Sequence, residues 1–180
     1  MEKPKSPAVS TAELPQDRAL RLGAARLQGA VAELPLRYAP FFARLAELWE
    51  LPESRVLSEL TRAKNPKAWS LTPLRGLTLF NVERAKGSTA TTRLMRLDPG
   101  VHFPKHAHRG RERVLVLEGA YADASGAEVH AGESQSMAAG SEHELCILGS
   151  RPCLAAISEQ GIEFTNPWLR WASRLFGVGP

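Results

Sequence analysis

The chain has 180 residues, 43 % apolar and 23 % charged, a balance that fits one ordinary folded domain or one domain with a short extension. Its net charge of +4 is spread along the sequence, with Lys and Arg interleaved among Asp and Glu, which argues against nucleic acid as a partner. No apolar run nears the roughly 20 residues that span a bilayer, and residues 1–11 lack the apolar stretch of a signal peptide, so the expected location is the cytoplasm.

Residues 1–16 hold Pro4, Pro7 and Pro15 among small and polar residues and read as a disordered or loosely attached tail. From Asp17 a helical period begins: Leu20, Ala24, Leu27, Val31 and Leu34 form one apolar stripe, which Pro35 should end. A second helix is expected from Pro40, with Phe41, Leu45, Leu48 and Trp49 on its apolar face. A third follows Pro52, with Val56, Leu57 and Leu60 turned inward, and Asn65-Pro66 closes it. Residues 17–67 thus read as a helical extension too poor in core to stand alone. It is expected to cover the following domain or a second copy of the chain. In the alternative, Phe41, Phe42, Trp49 and Leu60 serve as a groove-binding surface for a protein partner.

From about Trp69 the pattern changes to short, β-branched segments with frequent glycines. Gly76–Glu83, Thr91–Leu97, Arg113–Leu117, Leu145–Leu148 and Leu154–Ile157 read as strands. Asp98-Pro99-Gly100, Asp123–Gly126, Gly140 and Gly149–Pro152 read as turns. Many short strands at regular spacing predict a mainly β sandwich or barrel. After Asn166-Pro167, residues 166–180 suit a short amphipathic helix with Trp168, Trp171, Leu175 and Phe176 on one face. Its expected use is packing rather than membrane anchoring. Cys146 and Cys153, the two cysteines, are expected as reduced thiols flanking a hairpin turn and sharing one face of it.

All five histidines fall between His102 and His143, and the first hundred residues contain neither His nor Cys. His106 and His108 are two apart, so on a strand both imidazoles leave the same face. Arg109-Gly110-Arg111 suits the turn into the next strand, which Glu112 opens just before the apolar run Val114–Leu117. A carboxylate aimed into an apolar interior is costly unless it is paired, protonated or bound to a cation. His143, after the small-residue turn Ala138–Ser141, is placed to add a ligand from another wall. Three neutral imidazoles and one carboxylate suit one divalent ion: Zn, Fe, Mn, Ni or Cu. Such a site either keeps open positions for a ligand or, with four-coordinate zinc, is closed and structural. By parity with Glu112, Val114 and Val116 should line the pocket beside the metal. His130 is a weak candidate for supporting a ligand from behind, and His102 is expected to be an exposed strand residue.

These residues resemble the cupins. The first cupin motif, a glycine, five residues, His-x-His, three or four residues, Glu, six residues and a glycine, reads here Gly100-VHFPK-His106-Ala-His108-RGR-Glu112-RVLVLE-Gly119. The second reads Gly132-ESQSM-Ala138-Ala-Gly140-SE-His143-ELC-Ile147, with Ala138 in place of the usual Pro and Ile147 in place of the usual Asn, neither one a ligand. The resemblance implies a jelly-roll β-barrel over residues 68–165 and a metal on His106, His108, Glu112 and His143. The stretch Val114–Gly126 is similar to the cupin domain of ChrR-type anti-sigma factors and related stand-alone cupins.

In that family a zinc-built helical domain masks a sigma factor, and the cupin tunes its release under oxidative stress. The helical third here has no His or Cys, so a zinc-built masking domain is excluded. What the resemblance implies is a metal-binding regulatory or sensory cupin responsive to a small molecule or oxidant, with a sigma factor or other protein as partner and a homodimeric assembly. The alternative is a metal-dependent dioxygenase acting on a small organic substrate.

Overall fold

The computed structural model describes residues 37–166. The tail expected over 1–16, the helix expected from Asp17 to Leu34 and the helix expected after Pro167 lie outside the described residues. Two helices lead in: α1 (Phe42–Trp49), preceded by a 3-10 turn at Ala39–Phe41 that contains Pro40, and α2 (Glu53–Ala63). Leu45, Leu48 and Trp49 are buried on α1, and Val56 and Leu60 on α2. Leu57 departs from the expectation: it is exposed, and Glu59 takes the inward place. Residues 56, 60 and 59 follow the three- and four-residue step of one helical face, whereas 57 lies about a quarter turn away from 56. The buried Glu59 carboxylate is paired with Arg62 and accepts the Glu83 amide at 3.4 Å, which removes most of the burial cost.

Eleven strands follow among the described residues: β1 (Ser70–Leu71), β2 (Leu77–Asn81), β3 (Thr91–Leu97), β4 (His102–His108), β5 (Glu112–Glu118), β6 (Ala120–Asp123), β7 (Glu128–His130), β8 (Ser134–Met137), β9 (Glu142–Ile147), β10 (Cys153–Glu159) and β11 (Ile162–Phe164). They form an antiparallel six-stranded sheet, β1-β2-β3-β10-β5-β8, and a five-stranded sheet, β11-β4-β9-β6-β7. Their inner faces build one core, in which Leu77, Leu97, Val116 and Ala155 from the first sheet meet Phe103, Tyr121, Leu145 and Ile147 from the second. This is the mainly β fold that the strand pattern predicts and the jelly roll that the cupin resemblance implies, built as two facing sheets that do not close into one barrel. Strands β5 and β10 are buried on both faces because α1 packs against their outer side. Their sequences, ERVLVLE and CLAAISE, therefore run apolar without a clean alternation.

Gly119 makes the sharp passage from β5 into β6. Its φ is +72°, and a Cβ there would lie 2.6 Å from the Pro152 carbonyl oxygen, so this motif glycine is required both by conformation and by space. Cys146 and Cys153 do not share a face: Cys146 is exposed, and Cys153 is fully buried between the sheets. β9 and β10 belong to different sheets, so the turn between them is not a hairpin and does not bring the two thiols onto one face. Burial also pushes the Cys153 thiol up to about 12, which makes it inert.

Candidate metal centre

The site is assembled by register. His106 and His108 point inward from β4, and His106 lies directly across from His143 on β9. All three rings are buried, and they can present nitrogens within 4.8 Å of one another. The Nε2 atoms of His106 and His143 are 3.1 Å apart, and the His108 ring centroid is 5.0 Å from that of His106 and 4.9 Å from that of His143. His106 Nδ1 lies 2.9 Å from the Pro104 carbonyl oxygen. That contact requires Nδ1 to carry the proton, so Nε2 turns its lone pair toward the other histidines.

Three further ring nitrogens, both of His108 and Nδ1 of His143, are buried without a hydrogen-bond partner. Each such orphan costs roughly 1–3 kcal/mol. Three converging imidazoles with unused lone pairs are a poor way to fill a core and a good way to hold a cation. The donor set fits a divalent metal ion.

Glu112 opens β5 and is buried, as its parity required. Its carboxylate oxygen is 3.7 Å from His108 Nδ1, beside the histidines yet outside their close group. Burial, reinforced by the neighbouring Glu159 carboxylate, pushes Glu112 up to about 8. Burial pushes His106 down to about 3 and His108 down to about 4, and holds His143 below the usual imidazole range. The low dielectric thus disfavours every charge the site could carry by itself, and a bound dication reverses that preference for Glu112.

Val114 lines the cavity as expected. Val116 does not: fully buried, it packs deeper in the core. His130 does not reach the group either. It is exposed on β7, where its Nε2 lies 2.9 Å from Glu128. His102 is exposed, as expected. Three polar residues of the cavity are not among the candidates that the sequence pattern gives: Arg93, Tyr121 and Glu159. Strand parity was the available signal, since Arg93 shares a face with Met95 and Leu97, and Glu159 with Ala155 and Ile157.

A buried histidine trio between two facing antiparallel sheets defines a cupin with a site able to hold an ion. The chain belongs to the ChrR cupin-like domain family, whose sequence model matches residues 59–161, more than half of its length. Among solved structures it is similar to the Rhodobacter sphaeroides SigE complex with the anti-sigma ChrR, at 26 % identity over 51 % of this chain and 47 % of that one, with a TM-score of 0.46. The chain thus spans about half the length of that structure's chain. It is also similar to an acetylacetone dioxygenase from Acinetobacter johnsonii, at 13 % identity over 63 % and 89 % of the two chains, with a TM-score of 0.51, a likeness of fold alone. An RmlC-like cupin protein from Ralstonia eutropha JMP134 matches at 14 % identity over 64 % and 88 %, with a TM-score of 0.49. No curated protein matches the chain in sequence.

Proposed function

We propose that this chain is a regulatory metal-binding cupin in which His106, His108, Glu112 and His143 hold one divalent ion, and the small molecule or oxidant that reaches the ion is the signal. The observation that carries the metal reading is the trio of buried imidazoles with three orphaned nitrogens. Membership of the ChrR cupin-like family supports the regulatory role. So does the size of the cavity, about 40 Å³. At about 10–15 Å³ per water-sized occupant, it takes roughly three, which suits a small effector better than a bulky organic substrate.

Signal output belongs to the helices, with a sigma factor as the proposed partner in a homodimeric, cytoplasmic protein. Trp49 and Leu60 are buried and therefore cover the domain rather than face a partner, which leaves the half-buried Phe41 and Phe42 on that side. No helix among the described residues is long and apolar enough to cross a membrane.

The dioxygenase reading shares the same metal centre and draws support from the apolar cavity wall formed by Leu79, Val114 and Leu145. Metal analysis of protein purified without added metal, combined with oxygen uptake in the presence of β-diketones and thiols, separates the two. Tightly held metal without oxygen uptake, together with co-purification of a co-expressed sigma factor, is the result expected here. Steady oxygen consumption coupled to loss of an organic substrate would replace the regulatory reading with the enzymatic one.

A further inference from the structure

Inside the same cavity lies an ion pair that the metal site does not account for. Arg93 Nη1 on β3 is 3.0 Å from Glu159 Oε1 on β10, with both side chains nearly buried. The register sets Glu159 directly opposite Glu112. Arg93, Glu159 and Glu112 line the cavity together with His106 and His143. A buried ion pair rarely stabilises a fold better than well-packed apolar residues would. The inward neighbours on those strands, Met95 and Ile157, show that apolar residues fit this interior.

The charges around the cavity are few. Among the described residues that line it, Arg93 is the one fixed cation, Glu112 and Glu159 are the carboxylates, and His106 and His143 are neutral when they donate to a metal. With both carboxylates ionised, the lining by itself carries one net negative charge. With a dication on the histidines and Glu112, the cavity carries one net positive charge. In a low-dielectric interior that excess selects the sign of whatever enters.

We propose that the site is selective for a small monoanion, of carboxylate or triatomic size, as the further ligand at the metal: the dication and Glu112 supply the single positive excess, which Arg93 raises and Glu159 lowers. Arg93 is the specificity-determining residue, and Glu159 moderates it. The inference rests on the metal reading above. It deepens that reading by naming the charge and size of the effector.

The test uses the full chain loaded with Co(II) and titrated with azide and with formate, followed by the visible absorption of the cobalt. Wild-type protein is expected to bind both anions. Arg93→Met is expected to weaken azide binding by about tenfold or more, and Arg93→Lys to restore most of it, because at separations within one cavity a unit charge acts strongly. Glu159→Gln is expected to strengthen azide binding by about fivefold or more. Arg93→Met and Glu159→Gln both break the salt bridge, so a purely structural brace predicts shifts in the same direction. Shifts in the same direction, or unchanged azide affinity in Glu159→Gln, would overturn the proposal. Failure of the wild-type protein to take up Co(II) would overturn the metal reading itself, and this inference with it.

Discussion

At the scale of single residues, the site is a set of groups that each lose by burial and gain together. His106, His108 and His143 are held neutral, and Glu112 is pushed up to about 8. The signs give a pH signature. Unfolded Glu112 ionises near 4.5 and the folded group near 8, so its ionisation penalises the metal-free fold increasingly from pH 4.5 to 8. The histidines act oppositely. Their depressed values penalise the fold as pH falls from 6.5 toward 4 and contribute nothing above 6.5.

Between pH 6.5 and 8 the metal therefore competes with a single proton, the one on Glu112. We expect metal affinity to rise about tenfold per pH unit up to about pH 8 in the wild type, and to be nearly flat over the same window in Glu112→Gln. Chelator-competition titrations at several pH values measure this. Parallel slopes in the two proteins would remove Glu112 from the ligand set. His106→Ala and His143→Ala should each lower affinity by about 10-fold or more, the size of loss seen even when groups that only support a ligand are removed.

The spacing His106-x-His108 and the parity of Glu112 were legible in the sequence because period-2 alternation fixes the face directly. The Arg93–Glu159 pair is harder to read: in TTRLMRL each face carries one arginine beside apolar residues, so parity groups Arg93 with Met95 and Leu97 but does not say which face turns inward until the partner sheet is known.

At the scale of elements, the strands that the sequence showed are the long, apolar ones. Thr91–Leu97 has the same bounds in sequence and structure. β1, β6, β7, β8 and β11, of two to four residues each, are not among the strands expected from the sequence pattern. SQSM and EVH, for instance, carry no apolar alternation, and such segments become strands only because a neighbour supplies hydrogen bonds. Among the described residues α1 covers the domain, and on α2 Leu57 faces outward where the sequence expectation places it inward.

Because α1 closes the outer face of β5 and β10, it belongs to the stability of the domain. Trp49, fully buried, is its largest contributor. Trp49→Ala is expected to cost about 3–5 kcal/mol in urea unfolding. A loss below about 1 kcal/mol would mean that α1 sits loosely. Gly119→Ala should destabilise by more than its helix or strand propensity suggests, because a Cβ meets the backbone at Pro152 and Cys153.

At the scale of the whole molecule, one interior serves two purposes. The deeper part, around Val116, Leu97 and Ile147, is an apolar core. The end of that interior where β4, β5, β9 and β10 bring in His108, Glu112, His143 and Glu159 is polar and strained by its own burial. A ligand that binds only the folded state shifts stability by mass action, about 4 kcal/mol at a thousandfold excess over Kd. For a chain of this size, removal of the ion by EDTA at pH 8 is expected to lower Tm by about 8 °C or more. At pH 5 the shift should be smaller, since protonated Glu112 no longer needs the cation. Equal shifts at both pH values would contradict the coupling.

The most direct test is X-ray absorption of the metal-loaded protein together with metal content per chain. The account predicts one ion per chain, with imidazole nitrogens and a carboxylate oxygen at roughly 2.0–2.2 Å, and loss of the imidazole signal on changing His106 and His143 to Ala. A substoichiometric ion, or a spectrum without imidazole scattering that the two substitutions leave unchanged, would contradict it.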